Sequence, residues 1–131
     1  MSIIEQGIKG EQMARELLKK WGFHNHQQID WIVKDESDDS FFIVEVKHKE
    51  KFLSPPFDGH GLPINQIILR QQLMDKFGIK TLLLIFDTKD NHVYYQWLNE
   101  LEQGKYFDTK KNIRIYNINS FNKELFNNSI V

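Results

Sequence analysis

The sequence predicts an α/β protein built on a mixed β-sheet flanked by helices, and three observations carry that expectation. Near the N-terminus, Ile4, Ile8, Ala14 and Leu18 fall on one face at 100° per residue, the period of an amphipathic helix. Residues 81–87 are apolar on both faces, as in a strand inside a sheet covered by helices, and residues 41–46 nearly so. The segments then follow in the order α-β-β-α-β-β-α-β, which argues a layered mixed sheet. The chain has 131 residues, so at about 150 residues per domain it is expected to form one domain, 1–131. A chain of this size buries about two-thirds of its unfolded surface and holds a core without staples.

The elements are justified in turn. A first helix is expected over 2–21, stopped by Gly22. Strands are expected over 27–34 and 41–49, joined by the polar turn Asp35-Glu36-Ser37-Asp38-Asp39-Ser40 as a hairpin. Residues 50–62 carry Pro55, Pro56, Gly59 and Gly61 and are expected to be a loop. Pro63 suits the first turn of a second helix, running to about Phe77 and stopped by Gly78. Strands over 81–87 and 92–97, a short helix to about Gln103, and a strand over 113–118 follow. The tail from Ser120 is Asn-rich and weakly patterned.

Composition excludes several functions. There is no cysteine, hence no disulfide, thiolate zinc site or cysteine nucleophile. The 17 Lys and Arg against 18 Asp and Glu leave a net charge of −1. That excludes a polybasic binder acting through bulk charge, but not a local basic patch. The longest apolar run, Leu82 to Phe86, is far short of the ~18 residues that cross a bilayer. The first residues lack a signal-peptide pattern, so a soluble, cytoplasmic protein with no membrane partner is expected. Neither a phosphate-binding Gly-Lys-Ser/Thr loop nor a dinucleotide glycine fingerprint is present.

The chemistry is read from polar residues placed inside apolar patterns. Glu11 lies among the apolar positions of the first helix, and a core-facing carboxylate must be paired, protonated or metal-bound. Pairing with Arg15, one turn on, is the plain structural reading. In the strand over 41–47, alternation puts Phe41, Ile43, Glu45 and Lys47 on one face and Phe42, Val44 and Val46 on the other. Glu45 and Lys47 thus stand side by side near the end of a buried strand; a structural ion pair is the plain alternative. Asp30 interrupts Ile29-Asp30-Trp31-Ile32-Val33, where Asp is disfavoured, and a hairpin brings it near Glu45. Converging carboxylates repel unless a cation bridges them. Hard oxygen donors without Cys or a His pair favour Mg²⁺ or Mn²⁺ over Zn²⁺.

At these residues the chain resembles the PD-(D/E)xK nuclease superfamily: an acid in the first helix (Glu11), an Asp on one strand (Asp30), then Glu45-Val46-Lys47 on the next. Gly7-Ile8-Lys9-Gly10-Glu11 is similar to the start of archaeal-type Holliday-junction resolvases, and Gln66 to Arg70 to the Gln-bearing helix of several branches. The likeness spans about residues 4–87. Ile29, not Pro, precedes Asp30, and the region from Asn91 onward matches no named pattern. The resemblance implies a restriction-endonuclease-like core of αβββαβ type, bacterial, archaeal or phage-encoded. It implies Mg²⁺ or Mn²⁺ held by Asp30, Glu45 and the Val46 carbonyl, with Glu11 as a direct or water-mediated ligand. Lys47 would orient the attacking water, and Gln66 would position the nucleophile or touch the backbone near the cut. The implied activity is a DNA endonuclease leaving 5′-phosphate and 3′-hydroxyl, as a homodimer or within a larger nuclease complex. Its alternatives are an RNA- or single-strand-directed nuclease and a non-catalytic nucleic-acid or protein-binding module.

Nucleic-acid contacts are expected from the basic run containing Lys49 and Lys51, from Arg70, and from His60 in the long loop after it. His24-Asn25-His26 reads as loop, Asp87 as a strand-end cap, and Tyr94, Tyr95, Trp97 and Trp31 as strand aromatics rather than base-stacking platforms.

Overall fold

A computed structural model describes residues 2–126. The first helix, α1 (Ile3–Lys20), begins where the Ser2 side chain accepts the Glu5 N–H at 3.1 Å and ends before Gly22, whose φ of 90° is left-handed. Strands β1 (Trp31–Asp35) and β2 (Ser40–His48) form the expected antiparallel hairpin, with Trp31 opposite Val44 and Asp35 opposite Ser40. After β3 (Gly59–Pro63) comes α2 (Ile64–Phe77), closed by Gly78 in the left-handed region at φ 69°. Next are β4 (Lys80–Asp87), β5 (His92–Trp97), α3 (Leu98–Gln103), β6 (Tyr106–Asp108), β7 (Ile113–Asn117), a 3₁₀ turn at Ile118–Ser120 and β8 (Asn122–Leu125).

One sheet has five strands in the order β1-β2-β4-β5-β8; a second has three, β3-β7-β6. The larger sheet is mixed: β2 and β4 run parallel, joined across α2, and every other pair is antiparallel. The protein is therefore a mixed α/β fold, as its sequence predicts. α2 and α3 pack on β4, and the core gathers Leu62, Ile67, Leu83, Ile85, Leu98, Leu101 and Tyr116 between them and the small sheet. Among the described residues no helix is long and apolar enough to cross a membrane.

Four expectations are corrected. The strand expected over 27–34 pairs only from Trp31, because the Asp30 carboxylate takes the Val46 N–H at 2.8 Å and replaces the backbone acceptor that would continue the ladder. The loop expected over 50–62 ends in a strand, β3. Its glycines read as loop but serve close approach: a Cβ on Gly59 or Gly61 would lie 2.0 Å from the Tyr116 carbonyl oxygen or 2.1 Å from that of Arg114. β4 is fully buried on the face of Thr81, Leu83, Ile85 and Asp87, while Leu82, Leu84 and Phe86 remain half-buried, so helices cover one side of it rather than both. Lastly, α1 buries none of its residues, although its periodicity implied a core-facing stripe. β6 and β8 were not expected; of the Asn-rich tail, residues 127–131 lie outside the described region.

Candidate active site

The geometry follows from where β1 stops and β2 continues. Beyond the Trp31–Val44 pair, Asp30 stands opposite Glu45, and β2 runs on through Lys47 with β4 as its remaining neighbour. Alternation turns Glu45 and Lys47 to the face covered by α2. Glu45 is buried at 4% exposure, a position a carboxylate tolerates only with partners. It has three. Gln66 Nε2 donates to Oε1 at 2.9 Å, Lys47 Nζ lies 3.5 Å from the same oxygen, and Arg70 Nη2 donates to Oε2 at 3.2 Å. Gln66 and Arg70 are one helical turn apart on α2, so both reach one carboxylate. Arg70 also donates to the Gln28 carbonyl at 3.1 Å, tying α2 to the segment before β1.

These groups border an open cleft of about 390 Å³ lined by Arg15, His26, Gln27, Gln28, Asp30, Glu45, Lys47, Pro63, Asn65 and Gln66. Arg15 donates to Gln28 Oε1 at 2.8 Å, and Gln27 Nε2 to the Asn65 carbonyl at 3.1 Å. In its walls His26 Nε2 and Gln27 Oε1 are buried polar atoms without a hydrogen-bond partner. Gln28 and Asn65 were not picked out from the sequence, while Arg15 was read only as a partner for Glu11 and His26 only as part of a loop. For Arg15 a signal existed: it is a cation inside the apolar arc of α1, between Ile4 and Ile8.

Asp30, Glu45, Lys47 and Gln66 thus meet at one cleft. Glu11 is exposed on α1 and is not among the cleft-lining residues, and Arg15 pairs with Gln28 in place of Glu11. Among the described residues, no group of three or more His, Cys, Asp or Glu is assembled as a metal cluster. What the cleft does offer is two hard-oxygen acids, Asp30 and Glu45. Magnesium, which keeps most of its waters and takes one or two protein carboxylates, fits such a donor pair.

The residues expected at nucleic acid have partners within the protein. Arg70 is buried on Glu45. Lys49 Nζ donates to the Gly61 carbonyl at 2.7 Å, and burial, then the Lys47 charge, lowers its pKa. Lys51 bonds Asp90 at 2.8 Å; burial works against the Asp90 charge, but Lys51, the Tyr94 hydroxyl and the His92 N–H hold its carboxyl at about 2. His60 is enclosed on β3, its Nε2 3.2 Å from Asp87 Oδ2 and its ring against Tyr94. Burial, then the nearby Lys49 charge, lowers His60 from 6.5 to about 4, an effect Asp87 only partly offsets. Asp87 acts as the expected strand-end cap, accepting the Lys89 and Asp90 N–H groups and that of Lys51.

Fold and site together define a mixed α/β protein with an acid-and-lysine cleft at the end of a central strand. Comparison with known proteins finds similarity to a solved structure of Hjc, a Holliday junction resolvase from the archaeal hyperthermophile Archaeoglobus fulgidus. Identity is 14%, the alignment covers 81% of this chain and 87% of that one, and the TM-score is 0.40. No protein-family model matches the chain, and no curated protein matches it.

Proposed function

We propose that this protein is a metal-dependent nuclease hydrolysing phosphodiester bonds in DNA, with Mg²⁺ or Mn²⁺ as its cofactor. The observation that carries the reading is the convergence of Asp30, Glu45 and Lys47 on one open cleft, with Gln66 holding the Glu45 carboxylate. Asp30, Glu45 and the Val46 carbonyl would hold the ion, with Glu11 brought in directly or through water. When bound, the ion lowers the pKa of a water and neutralises charge developing on the phosphate. Lys47, the cation beside Glu45, orients the attacking water and stabilises the phosphate oxygens as charge builds on them. Gln66 fixes Glu45 by its Oε1. Lys49, two residues or about 7 Å on from Lys47, lies within a screening length of about 10 Å and raises the local potential even while bonded to the Gly61 carbonyl; Lys51, about 13 Å on and paired with Asp90, contributes less. The products are a 5′-phosphate and a 3′-hydroxyl, and the partners are DNA and a second subunit or larger nuclease assembly.

The test is incubation with supercoiled and with branched DNA in Mg²⁺, in Mn²⁺ and in chelator, beside Asp30→Asn and Lys47→Ala. Cutting by the wild type with metal, lost in chelator and in both variants, supports the reading. If wild type and variants leave every substrate intact, the nuclease assignment is wrong and the binding-module alternative replaces it. Persistent cutting in chelator removes the metal from the mechanism.

A further inference from the structure

The acid-and-lysine cleft does not end at Asn65. A second groove of about 260 Å³ continues from it, and the two share His26, Gln27 and Asn65 as walls. The junction is fastened by the 3.1 Å bond from Gln27 Nε2 to the Asn65 carbonyl, which holds the segment before β1 against the start of α2. From there the groove runs along one face of α2. Asn65, Ile68, Leu69 and Gln72 follow the i, i+3, i+4, i+7 spacing of a single helical stripe, with His24 to Gln27 as the other wall. The stripe lies about 130° round α2 from Gln66 and Arg70, the pair that holds Glu45.

The two ends of this groove differ in charge. The cleft end carries Arg15, Asp30, Glu45 and Lys47. Among the described residues, none that lines the other end is Lys, Arg, Asp or Glu, although 27% of the chain is charged. It is therefore not built to neutralise phosphates. What it offers is the exposed carboxamides of Asn25 and Gln72, the imidazoles of His24 and His26, and the aliphatic side chain of Ile68, 49% exposed, beside Leu69. At the junction, His26 Nε2 and Gln27 Oε1 are without a hydrogen-bond partner among the described residues. Carboxamides bond the edges of nucleobases, and adenine is the base that an Asn or Gln meets with two bonds. Imidazole and aliphatic surfaces take the flat face of an unstacked base. A paired base in a duplex shows only its edge, so a groove that offers both kinds of surface fits an unpaired one. From Asn65 to Gln72 the stripe spans about 10 Å, the length of about three nucleotides of one strand.

We propose that this groove binds an unpaired nucleobase of the strand whose phosphate lies in the cleft. His24, Asn25 and Gln72 then set which stretch of a strand is held, apart from the chemistry of the cleft. The placing of that phosphate rests on the nuclease reading, so the test reads binding and does not need cutting.

The test compares a labelled single-stranded oligodeoxyadenylate with an abasic strand of equal length, by fluorescence anisotropy in Mg²⁺. Every protein carries Lys47→Ala, so that neither strand is cut. Both strands present the same phosphates, so the ratio of their dissociation constants reports contacts to bases. The oligodeoxyadenylate is expected to bind at least ~5-fold tighter, the low end for one stacked base. Gln72→Ala and His24→Ala each shrink that ratio and together bring it near one, with affinity for the abasic strand unchanged. A ratio near one in the parent protein overturns the inference, as do variants that weaken both strands alike and a parent that binds neither strand. If the ratio behaves as expected but wild type cuts nothing in Mg²⁺ or Mn²⁺, the nuclease reading fails and the base-binding groove stands.

Discussion

Arg70 offers the sharpest test of how the cleft is held. It is 3% exposed, and its Nη2 serves both Glu45 Oε2 at 3.2 Å and the Gln28 carbonyl at 3.1 Å. Replacing it by Met keeps most of the stem volume and removes the charge, which leaves Glu45 buried without its guanidinium. Removing one partner of a buried ion pair costs about 3–5 kcal/mol. Here the low end applies, because Glu45 keeps the Gln66 amide at 2.9 Å and the half-buried Lys47 ammonium at 3.5 Å. Arg70→Met is therefore expected to cost about 3 kcal/mol. Glu45→Gln strands the Arg70 cation beside one carbonyl and is expected to cost about 2–3 kcal/mol. The double variant removes both stranded charges, so it should fall short of the summed single costs by about 1.5 kcal/mol or more. Urea unfolding at neutral pH, followed by tryptophan fluorescence and circular dichroism, measures all four corners of the cycle. A cost below about 1 kcal/mol for Arg70→Met, or additivity within about 0.5 kcal/mol, refutes the claim that this pair organises the cleft wall.

Gly61→Ala forces a Cβ to within 2.1 Å of the backbone oxygen of Arg114, so β3 and β7 must move apart; the expected cost is about 3 kcal/mol in denaturant unfolding, and near-neutral behaviour would mean the strands do not pack this closely. His60 is held at about 4 in the folded protein against 6.5 for a free imidazole, so between those values the unfolded chain binds the extra proton. Stability from this residue is complete above pH 6.5 and is lost as pH falls to 4, by about 3 kcal/mol in all. Unfolding curves at pH 7 and pH 4.5 measure the loss, and His60→Gln should flatten it. Asp30→Asn keeps an oxygen to accept the Val46 N–H and should change stability by less than about 0.5 kcal/mol, whereas Asp30→Ala should cost about 1 kcal/mol. Both should abolish stabilisation by added Mg²⁺, read as a shift in thermal midpoint.

What was legible in the sequence was local. Ser2 and Gly22 mark α1, Gly78 marks the end of α2, and alternation alone put Glu45 and Lys47 on one face. Asp30 misled by pattern: its neighbours read as strand, but its carboxylate ends the ladder by taking the place of a backbone acceptor. β3 was illegible because the residues that let it approach β7 are those whose missing side chains erase any alternation. β6 is three residues long, and β8 is exposed throughout, so neither carries a hydrophobic signal. Arg70 and His60 read as contacts for a ligand. Their burial is set by Glu45 and Asp87, residues on other elements that helix periodicity and loop composition do not register.

The burial of Glu45 bears on the cleft as a whole. A carboxylate at 4% exposure satisfied by an amide and two cations is the arrangement of a structural ion pair, the plain reading of Glu45 and Lys47. Structural pairs, however, do not need an open cleft. Here Arg70 closes the Glu45 site from the core side, while Asp30, Lys47 and Gln66 line the space open to solvent. Under the proposed nuclease reading the two sides divide the work: Arg70 fixes the carboxylate from behind, and the more exposed Lys47 would turn from Glu45 toward an incoming phosphate. Arg70 would then govern stability and Lys47 the proposed chemistry, although both touch the same side chain.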